Sequence, residues 1–219
     1  DHPAVLIGLS EAAAAQDMSL RVLLDLGTHI QRTGARPQEI LAMAERVDRD
    51  ANLHFAGIMI YPSDPQDRPV LQETLALLHQ AGIGVDVVSG GGFGAARHAA
   101  EVPELTELRV GTYVFCDWRS VSRGWCDLDD CAMTIAATVV SRAAENRAIL
   151  DAGSKTLAAD SVDGLHGHIV EYPDARIYAL SEEHAHVDLS ACDDKPDIGE
   201  RVHVIPAHTC VVTHLHDRL

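Results

Sequence analysis

Lysine is almost absent from this 219-residue chain: Lys155 and Lys195 are the two that occur, and every other basic side chain of fixed charge is arginine. That scarcity bears on any chemistry that needs an amine as nucleophile or covalent anchor. Long apolar runs are missing too. Hydrophobic residues make up 47% of the chain, yet no stretch approaches the length of a membrane span, and the first residues do not read as a secretory signal. The five cysteines, Cys116, Cys126, Cys131, Cys192 and Cys210, are odd in number, irregularly spaced and without a C-x-x-C pair. This argues against a disulfide framework or a zinc ribbon and fits a reducing, cytoplasmic setting. Basic charge is also short, with 17 Lys and Arg against 33 Asp and Glu, a formal net charge of -16. Such a field repels nucleic acid and anionic membrane, so the expected partners are small molecules or further copies of the chain.

What is present begins with a rhythm. Arg21 to Leu26, Leu53 to Tyr61, Gly84 to Ser89 and Leu108 to Phe115 are apolar runs of strand length. Between them, Pro37 suits a first helical turn and is followed by Ile40, Leu41, Ala44 and Val47 at helical spacing; Val70, Leu71, Thr74, Leu75 and Leu78 repeat the pattern before Gly82. Strands separated by such helices predict βα units around a parallel sheet, as a barrel or a doubly wound sheet. The loop Ser89-Gly90-Gly91-Gly92-Phe93-Gly94 follows one strand and opens a helical stretch, a natural phosphate cradle and equally a flexible turn. No Gly-Lys-Ser/Thr follows it, which excludes a Walker A loop.

After Trp125 the pattern changes. Met133 to Ser141, Arg147 to Asp151, Gly167 to Tyr172, Arg176 to Leu180 and Arg201 to Ile205 read as short strands separated by turn signals. The alanine-rich stretch Ala132 to Ala144 has helical propensity, but its β-branched Thr134, Ile135, Thr138, Val139 and Val140 favour strand. The domains are accordingly placed at 1–124 and 125–219. Near the end, Pro206-Ala-His-Thr-Cys210 reads as strand, which would put His208 and Cys210 on one face, about 7 Å apart, able to share a metal ion. Two protein ligands leave an ion open to water or substrate, as at a catalytic zinc site.

Seven stretches in order extend these signals: Asp25-Leu-Gly-Thr-His-Ile-Gln-Arg-Thr-Gly34, Gly57-Ile-Met-Ile-Tyr61, Val88-Ser-Gly-Gly-Gly-Phe-Gly94, Gly111-Thr-Tyr-Val-Phe115, Asp151-Ala-Gly-Ser-Lys155, Ser181-Glu-Glu-His184 and Pro206-Ala-His-Thr-Cys210, followed by Asp217. Together they resemble the D-serine dehydratase and D-threonine aldolase family of pyridoxal-phosphate enzymes, which share the alanine-racemase fold. The resemblance implies an α/β fold, the C-terminal part of a (β/α)8 barrel followed by a mostly β domain. It implies that Arg32 faces the pyridine nitrogen of pyridoxal 5'-phosphate, that Tyr61 lies near the cofactor, and that Ser89, Gly90, Gly91 and Gly92 cradle the phosphate. His208 and Cys210 match the metal pair, with zinc expected and manganese or another divalent metal as the alternative. His184 matches a motif near the metal and is a possible catalytic residue. Phe93 stands where a threonine is usual, and Thr28-His-Ile-Gln31 departs from the usual Gly-x-Asn before the arginine.

The resemblance also points to an absence. The family's Schiff-base lysine falls upstream of every matching stretch, so the catalytic base is unknown in this sequence, and about four βα units are legible where eight close a barrel. The chain is therefore expected to be the later part of a longer enzyme, inactive by itself and a homodimer when complete. The expected activity is dehydration of a β-hydroxy D-amino acid such as D-serine. D-threonine aldolase is the first alternative and a non-catalytic metal- or phosphate-binding fragment the second.

Overall fold

Proline-led amphipathic helices alternate with strand-length apolar runs in the computed structural model, which describes residues 1–218 and divides into two units, Asp1–Val110 and Gly111–Leu219. The 124/125 division read from the sequence falls inside the second unit.

The first unit runs α1 (Pro3–Ala15), β1 (Leu20–Leu26), α2 (Pro37–Asp48), β2 (Leu53–Ile60), α3 (Arg68–Gln80), β3 (Val87–Gly91), α4 (Phe93–Ala96) and β4 (Glu107–Arg109). Its strands pair in parallel in the order β1-β2-β3-β4, Leu26 opposite Ile60 and Met59 opposite Ser89, the succession expected of barrel-type βα units. Ile40, Met43, Ala44 and Val47 of α2 and Leu71 and Leu78 of α3 are buried in one core with Leu24, Leu26, Ile58 and Ile60 of the sheet. That spacing is the helical stripe visible in the sequence. One expectation is corrected here. The run Leu108 to Phe115 is strand only to Arg109, because Val114 N–H and Cys116 N–H turn back onto the carbonyls of Gly111 and Thr112. Helix α1 did not announce itself: its residues 4 to 9 are nearly all apolar and show no helical stripe, with Leu6 buried but Val5, Ile7 and Leu9 exposed.

The second unit runs α5 (Trp118–Ser122), β5 (Ile135–Ala144), β6 (Arg147–Leu150), α6 (Ser154–Leu157), β7 (Gly167–Ile169), β8 (Arg176–Leu180), β9 (Ala185–Asp188), β10 (Arg201–Pro206) and α7 (Thr209–Leu215). Its antiparallel sheet has the order β7-β10-β5-β6-β9-β8, and the His166 N–H donates to the Ile177 carbonyl at 3.0 Å, linking the two edges into a nearly closed barrel. Val139, Leu150, Ile177, Val187, Val202 and Val204 fill it. β-Branched content prevails over alanine propensity in β5. The strand read through 206–210 is a second correction: β10 ends at Pro206, His208 is extended, and Cys210 lies in the first turn of α7.

Glycine spacing separates required from incidental flexibility. Gly34 has φ +102° at the return of the β1–α2 loop, where Gly27 N–H donates to the Ala35 carbonyl at 2.9 Å; a Cβ there would sit 2.4 Å from the Gly27 nitrogen. Gly8, within α1, has open space around a Cβ. Chemical denaturation is expected to show Gly34→Ala losing about 1–3 kcal/mol through strain and Gly8→Ala gaining about 0.5–1 kcal/mol.

Candidate functional site

In the first unit, the residues proposed for cofactor contact gather at the carboxyl ends of the parallel strands. The Arg32 guanidinium carbon lies 4.6 Å from the centre of the Tyr61 ring, a cation–π contact that holds both side chains. Arg32 borders a cavity with Gly27, Thr28, Thr33 and Gly34. Thr28 and His29, which depart from the family pattern, fasten this loop: the Thr28 hydroxyl donates to the Tyr61 carbonyl at 2.9 Å, and the His29 N–H donates to Asp67 at 2.8 Å. The His29 ring also meets Asp67 at 2.8 Å, and with Asp64 these side chains bring three donor atoms within 4.8 Å of one another. Both ring nitrogens are engaged, the second by Gln66 at 2.9 Å.

The stretch read as a glycine loop after the strand is largely strand, since Ser89, Gly90 and Gly91 close β3, and it is held from within. The Gly91 N–H donates to the Ser63 hydroxyl at 3.1 Å, and a Cβ on Gly90 or Gly91 would come within 2.6 Å of Ser63 Oγ or 2.8 Å of Tyr61 Cδ2. Gly92, φ +107°, turns the chain into α4. Ser89 is fully buried; its hydroxyl donates to Glu107 at 2.6 Å and accepts from Arg109 Nε at 2.9 Å. Arg109 Nη2 also donates to the carbonyls of Ile60 and Ser89. The Ser89 hydroxyl is thus committed to this network, and Arg109, which sequence reading passed over, joins the ends of β2 and β3.

In the second unit, His208 and Cys210 stand on either side of the first residue of α7. His208 Nδ1 lies 3.0 Å from Asp117 Oδ2, and Cys210 Sγ lies 3.3 Å from Thr112 Oγ1. The His208 side chain is 21% exposed and that of Asp117 1%. Asp117 is the residue sequence reading missed. Oδ2 also accepts from the Thr209 N–H at 3.2 Å, while Oδ1 accepts from the Ser120 N–H at 2.9 Å and the Ser120 hydroxyl at 2.6 Å. Burial raises the carboxyl's pKa, but the hydrogen bonds from His208, Ser120 and Thr209 outweigh it and leave the group below the usual aspartate range. The Asp-x-x-Ser spacing at 117–120 is the local signal of a helix cap; the partnership with His208 spans 91 residues and leaves no local trace.

His184 lies exposed in the turn joining β8 to β9, whose carbonyls bind the 153–155 segment: Ser154 N–H donates to Ser181 O and Lys155 N–H to Glu182 O. Gly153 is required there, since a Cβ would meet both carbonyl oxygens at 2.4 Å. The two matching stretches around Lys155 and His184 are therefore one structural junction. Among the described residues, no hydrogen bond or ion pair joins His184 to His208 or Cys210. Lys155 Nζ is 2.7 Å from Glu183, whose hydrogen bond raises the lysine's pKa, and Lys195 Nζ donates to Asn146 at 2.7 Å.

Residues 1–117 match the family described as "Alanine racemase, N-terminal domain", and residues 132–219 match "Putative serine dehydratase domain". D-threonine aldolase of Arthrobacter sp is 27% identical over 237 residues, covering 100% of this chain and 62% of that protein. D-threo-3-hydroxyaspartate dehydratase of Delftia sp. is 26% identical over 85% of this chain and 58% of that protein. The chain thus spans about three fifths of the length of these relatives. Among solved structures, D-threonine aldolase from Filomicrobium marinum superposes with a TM-score of 0.81 at 27% identity, over 95% of this chain and 61% of that one. The Delftia dehydratase has also been solved with a histidine replaced by alanine and, in a metal-free form, with the cysteine two positions further on so replaced.

Because its hydroxyl links Glu107 and Arg109 in a buried setting, Ser89→Ala is expected to destabilise the chain by about 1–3 kcal/mol in urea unfolding, with or without added pyridoxal phosphate.

Proposed function

The chain belongs to the D-serine dehydratase and D-threonine aldolase family of alanine-racemase-like proteins, and we propose that it forms the metal-binding and substrate-orienting part of a lyase that dehydrates a β-hydroxy D-amino acid such as D-serine. The observation that carries this reading is the donor pair at the head of α7, His208 backed by the buried Asp117 and the exposed thiol of Cys210. Imidazole nitrogen and thiolate sulfur suit zinc better than hard cations such as magnesium or manganese. Zinc held there would supply Lewis acidity to the β-hydroxyl that leaves. His208 and Cys210 would hold the ion, and Asp117 would keep the imidazole in place. A histidine and a cysteine at the same spacing in the Delftia dehydratase support the pairing.

Pyridoxal phosphate fits the first unit in its non-covalent contacts. Arg32, steadied on Tyr61, would face the pyridine nitrogen with a cation that keeps its own protons, and the turn at Gly92 would lie along the phosphate. The covalent anchor does not fit. An imine-forming amine needs a lowered pKa, whereas Lys155 is paired with Glu183 and shifted upward, and Lys195 is bound to Asn146. The chain's own residues therefore bind and orient, and covalent attachment falls to a lysine that this sequence does not contain.

A second reading, cleavage of a β-hydroxy D-amino acid by an aldolase, is favoured by the 27% identity to the Arthrobacter D-threonine aldolase along the entire chain. D-threonine supplied to the intact gene product with zinc and pyridoxal phosphate separates the two. The dehydratase is expected to yield 2-oxobutyrate and ammonia; glycine with acetaldehyde would establish the aldolase, and no turnover of D-threonine or D-serine would overturn both. Borohydride reduction of the 219-residue chain with pyridoxal phosphate, followed by peptide mass mapping, is expected to label neither Lys155 nor Lys195 specifically. Stoichiometric label on either would reverse the assignment of the anchor.

A further inference from the structure

The environment of Asp117 contains more than a helix cap needs. A carboxylate that only capped α5 would accept from the Ser120 N–H and hydroxyl, and both bonds end on Oδ1. Oδ2 is turned the other way, toward His208 Nδ1 and the Thr209 N–H. Backbone N–H groups donate and cannot accept, so each carboxylate oxygen already serves as an acceptor through Ser120 on one side and Thr209 on the other. An ionised carboxylate has no proton to give, so in the remaining contact the ring nitrogen at 3.0 Å is the donor. A neutral imidazole that donates through Nδ1 keeps its lone pair on Nε2.

We infer that Asp117 is the positioning residue of the metal pair: it fixes His208 as the Nδ1–H tautomer, in one ring orientation, so that Nε2 is the atom offered to the metal. The inference rests on the reading of His208 and Cys210 as metal donors. Free histidine favours the other tautomer, with the proton on Nε2, so without Asp117 the ligand atom would more often be protonated and the ring free to turn. The same carboxylate fixes the backbone on which the second donor is carried, because the Thr209 N–H it binds belongs to the residue between His208 and Cys210. Arg119, next to this cap, is turned elsewhere: its guanidinium meets Asp160 at 3.1 Å and its N–H donates to the Ala207 carbonyl, so Asp117 faces His208 with no competing cation from its own helix.

The test uses the 219-residue chain, zinc as the probe, and two readouts that do not depend on turnover. Imidazole 15N shifts of the zinc-free chain are expected to show His208 protonated on Nδ1; finding the proton on Nε2 would overturn the inference without any variant. Competition of zinc against a chromophoric chelator is expected to show Asp117→Asn weakening binding about 10- to 100-fold, since the amide would present N–H groups to Nδ1 and reverse the tautomer. Ser120→Ala removes the hydroxyl's hydrogen bond to the opposite oxygen and keeps the backbone one. It is expected to lower thermal stability while leaving zinc affinity within about twofold, which separates positioning from folding. Unchanged zinc affinity in Asp117→Asn, with binding abolished in His208→Ala, would reduce Asp117 to a cap while the metal pair stands. Unchanged affinity in His208→Ala would remove the metal reading itself.

Discussion

The Asp117 carboxylate is shut off from water and accepts four hydrogen bonds, two from Ser120 and two from the turn at 208–209. A buried carboxylate is costly unless its lone pairs are filled, and here the groups that fill them are the loose ends of two short helices. Neither α5, with five residues, nor α7, with seven, would persist alone. The carboxylate satisfies N–H groups at the start of each and thereby places His208. Structure and proposed chemistry thus share one atom pair: the bond that makes the turn stable is also the one that decides which imidazole nitrogen is free. Val212, fully buried against Met133 and Ala158, anchors the rest of α7 and leaves Cys210 on the exposed side.

The first unit solves a similar problem with an arginine. Arg109, the last residue of β4, donates through Nη2 to the carbonyls of Ile60 in β2 and Ser89 in β3, while its Nε binds the Ser89 hydroxyl. Glu107 closes the network through that hydroxyl. With the strand ends tied, Gly90 and Gly91 at the end of β3 can approach Ser63 and Tyr61 more closely than any side chain would permit. Tyr61 in turn supports Arg32. Residues that the family resemblance assigns to one ligand are therefore linked mechanically before any ligand is considered.

Much of this was legible in the sequence because it is local. The stripe Ile40, Ala44, Val47 and the β-branched run of β5 act through periods of 3.6 and 2, and the structure follows both. The run 206–210 misled because the groups that turn it into a helix start lie outside it: Asp117, far away in sequence, and a core slot for Val212. Strand β9 was overlooked because its four residues, Ala185 to Asp188, alternate small, polar and apolar too briefly to stand out; pairing with β6 and β8 supplies what the sequence pattern lacks. The roles of Arg109 and Asp117 were invisible for the same reason, since each depends on partners brought together only by the fold.

The cysteines show how environment selects among like groups. Cys126 lies against the thiols of Cys116 and Cys131, and burial with those neighbours pushes it up to about 12; burial with the charges of Cys116 and Asp117 takes Cys131 to about 11. A thiolate is the form that attacks carbon or binds metal, and at neutral pH these two remain thiols. Deprotonating either would place a negative charge in a desolvated space already crowded with acidic groups. Three cysteines within sixteen residues thus meet in one partly desolvated cluster. Cys210 differs in kind: it is exposed, its sulfur meets the small hydroxyl of Thr112, and the residue two before it is an imidazole held by a carboxylate. The exposed sulfur of this chain that stands two residues from a held imidazole is therefore Cys210.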